Sequence, residues 1–277
     1  MPNLDLVRKD DVSSFRKIAI GTWQTAYDPS VYGTMELRMD EAMRYLAEFR
    51  EKTGKKLTIS HLMAKAAAMV LKETPEANAI MRWNRVYLRK RIGIFFQVVL
   101  TDEGPTKIDL SGATVYDTEQ KSLSQIYDEF NEKVNKVRAR QDPALEKTRG
   151  TFLKIPYFAL NRLLKLISFL TYTLNLDLSG VGIPNDPFGS MMITNVGSLG
   201  LDVAYVPLVP YSRVPILLAV GMVKERAIVV DGKIIVAKMM SVNATFDHRF
   251  IDGFHAASMS RILREWIEHP YEHFDKL

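Results

Sequence analysis

Within residues 226–242 two β-branched runs, Ile-Val-Val and Lys-Ile-Ile-Val, stand on either side of Asp231-Gly232. Asp-Gly between such runs is the strongest short-range signal for a hairpin, because both turn positions need a positive φ that most residues resist. The alternating stretch Ser241-Val242-Asn243-Ala244-Thr245-Phe246 follows, so the chain must bury one face of a long antiparallel pair. Further strands are predicted at 31–39, 85–89, 92–101, 190–194 and 215–222, with 85–89 and 92–101 read as a hairpin or as adjacent buried strands. Helical spacing predicts helices at 12–26, at 40–52 with Asp40 as N-cap, after Thr58 until Pro75, at 122–141 and at 252–268. Long strands and long helices mix without strict βαβ alternation, which points to an α+β fold, a mixed sheet with helices packed on it.

Composition removes several functions. The 277 residues include no cysteine, so disulfides, thiolate metal sites and a cysteine nucleophile are excluded. The net charge is +5, from 37 basic and 32 acidic residues, with no arginine-rich run, which is not a nucleic-acid footprint. No 18-residue stretch lacks charge, and the start has no apolar signal core, so no transmembrane span and a cytoplasmic location are expected.

Five histidines are present. His61 lies in an apolar helix and reads as structural. His269 and His273 have helical i, i+4 spacing, but Pro270 between them argues against a metal pair, and no metal is expected. His248 stands where the alternating strand meets the next helix, a corner that can present a side chain to a cleft. Asp252 and Gly253 follow it. Residue type alone leaves two readings open: a loop histidine with Asp252 as a plain N-cap, or a catalytic histidine.

The run Asp247-His248-Arg249-Phe250-Ile251-Asp252-Gly253 resembles the DHR-x-x-DG signature of the dihydrolipoyl acyltransferases, the catalytic cores of 2-oxo acid dehydrogenase complexes. Residues 57–79 are similar to the family helix that ends in PEVNA. Gly189–Gly197 is similar to its GGTFTITNxG strand, and 216–232 follows its ILGVG…RPVVVDG pattern. Ser14–Ala19 resembles its opening helix, one residue short. The match keeps its order from about residue 14 to 270.

The resemblance implies a chloramphenicol acetyltransferase-like two-layer sandwich over a single domain, 1–277. It implies acyl transfer between coenzyme A and a thiol such as dihydrolipoamide, without an acyl-enzyme. His248 would be the general base and Thr194 the oxyanion donor. Asp252 would pair with Arg16 and fix the corner, with Lys17 as fallback. Coenzyme A is then a substrate and no cofactor is bound covalently; residues that bind it are not indicated. A separate lipoyl carrier protein would supply the lipoyl group, since no lipoyl domain is recognised. A homotrimer is implied, with His248 and Thr194 meeting across the subunit interface.

The sequence departs from the family at 101–110, at 209–216 and in an apolar insertion at about 142–187. Residues 152–176 have the pattern of an amphipathic helix after Pro156. They could pack on their own domain or a trimer neighbour, line a pocket for a long acyl chain, or lie on a membrane surface. Two other functions stay in view: a free-standing coenzyme A-dependent enzyme acting on a small amine or alcohol, and a catalytically silent scaffold. Retention of both His248 and Thr194 opposes the scaffold.

Overall fold

A computed structural model describes residues 2–10, 29–101, 108–138 and 157–277. Its main sheet has seven strands: β2 (Ser30–Arg38), β5 (Gly93–Thr101), β6 (Ile108–Tyr116), β7 (Met191–Asn195), β8 (Ile216–Val220), β9 (Lys224–Val230) and β10 (Lys233–Asp247). The order is β2-β10-β8-β7-β5-β6, and β9 pairs with the first half of β10. β7 runs parallel to β5 and β8, while the other pairings are antiparallel. The sheet is therefore mixed, as predicted. Asp231 (φ 50) and Gly232 (φ 74) make the β9–β10 turn, the left-handed pair their sequence calls for.

A second sheet joins β1 (Leu6–Arg8), β4 (Arg85–Arg89) and β3 (Ala79–Arg82). The predicted partnership of 85–89 with 92–101 does not form. β4 pairs with β3 through the Trp83-Asn84 turn, where both residues have positive φ (51 and 57), and β5 leaves for the main sheet. That local turn closes β3 onto β4 at little entropic cost.

The α-helices among the described residues are α1 (Asp40–Thr53), α2 (Ile59–Glu73), α3 (Leu123–Arg138), α4 (Tyr157–Ser168), α5 (Gly253–Glu268) and the short α6 (Pro270–His273). α1 buries Ala42, Tyr45, Leu46 and Phe49 on one face, the spacing of an amphipathic helix. Met39, not Asp40, is its N-cap; Asp40 is the first helical residue and pairs with Arg38. The acid still stands at the positive end of the helix. α2 begins after Thr58 as predicted, and Pro75 opens a short 3-10 turn beyond it.

The alternation of β10 sends Val242, Ala244 and Phe246 into one core with Ile216, Leu218, Val220, Met191, Ile193, Ile94 and Phe96 from the neighbouring strands, and with the inner faces of α1, α2 and α5. Each fully buried aliphatic contributes roughly 1.5–3 kcal/mol. Helices on one face of a mixed sheet make the expected two layers. The predicted helix 12–26, with Arg16 and Lys17, lies outside the described residues, as do 102–107 and 139–156. No helix among the described residues is long and apolar enough to cross a membrane.

The described part of the insertion packs on its own domain through one turn, while Leu166, Leu174, Leu176 and Val181 stay exposed. After α4 comes a π-helical turn, Phe169–Thr173, which buries Tyr172 against Leu4, Ile80, Leu6 and Tyr87. Asn175 clasps the backbone of Leu4 at both N–H and C=O. Below them Arg89 and Asp186 form a buried ion pair.

Candidate active site

The residues after β10 build a corner in which each motif position has a mechanical role. Arg249 forks onto Asp247, Nε to Oδ1 at 2.9 Å and Nη2 to Oδ2 at 2.6 Å, and its backbone N–H donates to the same carboxylate at 3.0 Å. The Asp247 side chain is 7% exposed, so this charge-assisted fork is strong and locks the reversal. Phe250 and Ile251 turn into the core. Asp252 is the N-cap of α5, accepting from the N–H groups of Phe254 and His255, each at 3.1 Å. The bland reading of Asp252 is thus met, and more is added: His255 bridges Asp252 (Nδ1, 2.7 Å) to Glu76 (Nε2, 3.1 Å), and Glu76 pairs with Lys9. The predicted partner Arg16 lies outside the described residues.

His248 is left half-buried between these anchors. Its N–H donates to Pro29 O, and its ring Nδ1 lies 2.7 Å from Ile251 O. A carbonyl can only accept, so Nδ1 carries the hydrogen. In the neutral imidazole Nε2 is then the basic nitrogen.

Thr194 is the fourth residue of β7, and among the described residues its hydroxyl makes no hydrogen bond. Asn195 fixes the turn beyond it, accepting from Ser198 N–H and donating to Ser60 Oγ. Gly197 lies against Gly221: a Cβ on Gly197 would stand 2.4 Å from Gly221 O. Only glycine allows that approach at 197, and Gly221 is glycine for a different contact, since a Cβ there would stand 2.2 Å from Asp202 O.

The fold does not bring Thr194 to His248 within one chain. Thr194 pairs with Ala219, and Ala219 with Asn243, so Thr194 lies on the sheet face away from the helices, level with Asn243. His248 is five residues further on; at ~3.3 Å per residue that is about 16 Å along the strand, with two strand spacings, about 10 Å, across.

A cleft of about 720 Å³ opens beside the corner, lined by Asp247, Arg249 and Phe250, by Pro29 and Ser30, by Met81, Trp83 and Asn84, by the loop 207–210, by Arg213 and Val214, and by Phe169 and Thr173 of the inserted turn. Its size suits a small-molecule site. A smaller cavity, about 100 Å³, lies between sheet and helices among residues such as Met191, Val242 and Met259, with no titratable group on its wall. Sequence reasoning missed the Asp247–Arg249 fork and Arg213. The i, i+2 opposite charges across a corner could have disclosed the first; Arg213, on a departure from the family pattern, has no sequence signal.

His61 is buried (3% exposed) among Phe96, Tyr127 and Phe130. Its Nδ1 accepts from Thr58 N–H, and burial pushes its pKa down to about 4. This is a structural histidine. His269 ends α5, whereas His273 faces Glu265 at 3.4 Å, so the two do not converge. The described residues that cluster there are Glu265, Glu272 and His273, on the surface.

A mixed sheet with helices packed on one face is the fold of the chloramphenicol acetyltransferase-like class. A chloramphenicol acetyltransferase superposes with a TM-score of 0.51 at 15% identity, over 95% of this chain and 100% of that one. The sequence matches the profile of the 2-oxoacid dehydrogenases acyltransferase catalytic domain over residues 8–153 and 187–274, and the chain belongs to that family. The gap between the two matched stretches falls on the apolar insertion.

Among curated relatives, the dihydrolipoyllysine-residue acetyltransferase component of the Rhizobium meliloti pyruvate dehydrogenase complex is 24% identical over 250 residues, 87% of this chain and 45% of that protein. The chain spans less than half the length of the curated relatives it matches. The Azotobacter vinelandii dihydrolipoamide acetyltransferase shares the fold at a TM-score of 0.65 and 22% identity, over 95% of this chain and 93% of that one. In that enzyme a serine, a histidine and an asparagine four positions after it have been investigated for roles in catalysis.

Proposed function

We propose that this chain is an acyl-transfer domain moving an acyl group between coenzyme A and a thiol such as dihydrolipoamide, the latter carried by a separate lipoyl protein. The observation that carries the reading is His248, held by Ile251 O in the tautomer whose Nε2 is basic. A thiol near pKa 8.5 is mostly protonated at neutral pH, and the thiolate is the nucleophile. Nε2 takes the S–H proton as the sulfur attacks the thioester carbonyl. Thr194 donates its hydroxyl hydrogen to the resulting oxyanion, a contribution of ~3 kcal/mol. The intermediate collapses, the other sulfur leaves, and the imidazolium returns the proton to it. No acyl-enzyme forms, and the chain has no cysteine to carry one.

The separation of Thr194 from His248 within one chain favours a homotrimer in which each site takes His248 from one subunit and Thr194 from the next. The histidine-plus-four spacing of the Azotobacter enzyme supports the pairing of His248 with Asp252 as base and corner support, and its serine supports a hydroxyl in the role given to Thr194. Asp252 would complete its coordination with Arg16. The test is acyl transfer from acyl-coenzyme A to free dihydrolipoamide. Transfer that falls ~10²–10⁴-fold in His248→Ala supports the reading; transfer only to an amine or alcohol replaces it with the small-molecule enzyme, and none with any acceptor replaces it with a scaffold.

A further inference from the structure

The cleft beside the corner carries an uneven charge. Among the described residues three charged side chains line it: Asp247, Arg249 and Arg213. Asp247 is consumed, since Arg249 takes both its oxygens. Arg213 has no carboxylate partner among the described residues. Its Nε donates to Ser168 Oγ at 3.0 Å, its Nη1 to Met81 O at 3.2 Å, and its guanidinium lies 6.0 Å from the centroid of the Tyr172 ring. These neutral contacts hold the group in place without cancelling its charge, and they leave Nη2 without a hydrogen bond among the described residues.

The position is built rather than incidental. Arg213 has a φ of 53, a left-handed conformation that a side chain other than glycine rarely adopts and that clusters at functional sites. Ser212 beneath it is wholly buried and braces the turn, its hydroxyl donating to Val209 O and accepting from Val214 N–H. Ser168 and Tyr172 come from the stretch that the family profile skips, so the insertion supplies the socket for Arg213. Burial lowers the Arg213 pKa from the ordinary guanidinium value, Tyr172 works against this, and the Arg249 charge adds to it. An anion in the cleft relieves both the burial and the repulsion. The remaining wall, with Met81, Trp83, Phe169, Leu208 and Phe250, suits the apolar part of the same ligand.

We propose that this cleft receives an anionic group of the thioester substrate and that Arg213 reads its charge. The inference rests on the acyl-transfer reading above. The anion has two sources: the free carboxylate of a dicarboxylic acyl chain, or a phosphate of coenzyme A. Succinyl- and butyryl-coenzyme A have the same chain length and differ in that carboxylate, so kinetics with both, for the unmodified protein, Arg213→Gln and Arg213→Lys, separate the sources.

If the acyl carboxylate is read, the unmodified protein prefers succinyl-coenzyme A, Arg213→Gln raises its KM ~10–100-fold with butyryl transfer little changed, and Arg213→Lys recovers most of the loss. If a phosphate is read, Arg213→Gln raises KM for both esters alike. A folded Arg213→Gln with unaltered kinetics on both overturns the proposal. Calorimetry on the unmodified protein keeps the question open to refutation should the variants not fold. Equal affinity for succinyl- and butyryl-coenzyme A, together with equal affinity for coenzyme A and pantetheine, also overturns it. Loss of transfer with every ester would count against the acyl-transfer reading alone, because the binding comparisons stand without turnover.

Discussion

Two histidines show how neighbours give one side chain opposite surroundings. His248 meets a carbonyl at Nδ1 and is half-buried, next in the chain to two residues that line the cleft, Asp247 and Arg249; His61 meets a backbone N–H and is packed among aromatic rings. His61 makes stability pH-dependent. In the folded chain its pKa is about 4, against an ordinary value of 6.5. Below 6.5 the unfolded chain takes up a proton that the folded chain refuses, so this stability is fully present above about 6.5 and is lost as pH falls towards 4. The loss is about 3 kcal/mol in all. Chemical denaturation between pH 4 and 7 should show that slope, and His61→Phe should flatten it. Asp252 gives a second residue-scale outcome. Asp252→Asn keeps an oxygen for the α5 N–H groups, whereas Asp252→Ala should cost roughly 0.5–2 kcal/mol of cap alone, read as a lower melting temperature.

At the scale of elements, the ends of β7 and β8 are held at a spacing that only backbone can fill. In Gly197→Ala the new methyl would meet Gly221 O at 2.4 Å. Both partners are main chain, so the 196–199 turn must move. The expected cost is ~1–3 kcal/mol in a denaturant titration, with a drop in kcat because the turn ends the strand that holds Thr194. Replacing Asp231-Gly232 by Ala-Ala should weaken the β9–β10 hairpin by forcing two ordinary residues into positive φ. Amide exchange should then accelerate in 224–239 and not in the Val242–Phe246 stretch, which is paired on both sides.

At the scale of the molecule, a sheet that separates Thr194 from His248 makes a sharp demand on assembly. His248→Ala and Thr194→Val should each be nearly inactive, yet a refolded equal mixture should recover about a quarter of the normal activity, because random trimers pair an intact histidine with a neighbouring intact threonine at about one site in four. No recovery would mean that the two residues act within one subunit or not together. Light scattering should give the mass of three chains; the mass of a single chain would rule out a site shared between subunits.

Much of this was legible in the sequence because it is local. The Asp231-Gly232 turn, the Thr58 helix start, the alternation of Ser241–Phe246 and the corner at His248 depend on residues within a few positions of one another, where φ preferences, capping and periodicity act. Sequence periodicity also implied a mixed sheet with helices packed on it, while the two-layer arrangement followed from the family resemblance. Tertiary structure alone decided that β4 leaves β5 for another sheet, that Thr194 and His248 stand at different levels of the main sheet, and that an inserted π-turn props a lone arginine beside the Asp247–Arg249 fork. Those outcomes rest on strand register and on contacts between residues far apart in the chain, whose energies depend on which surfaces meet and not on what precedes or follows along the backbone.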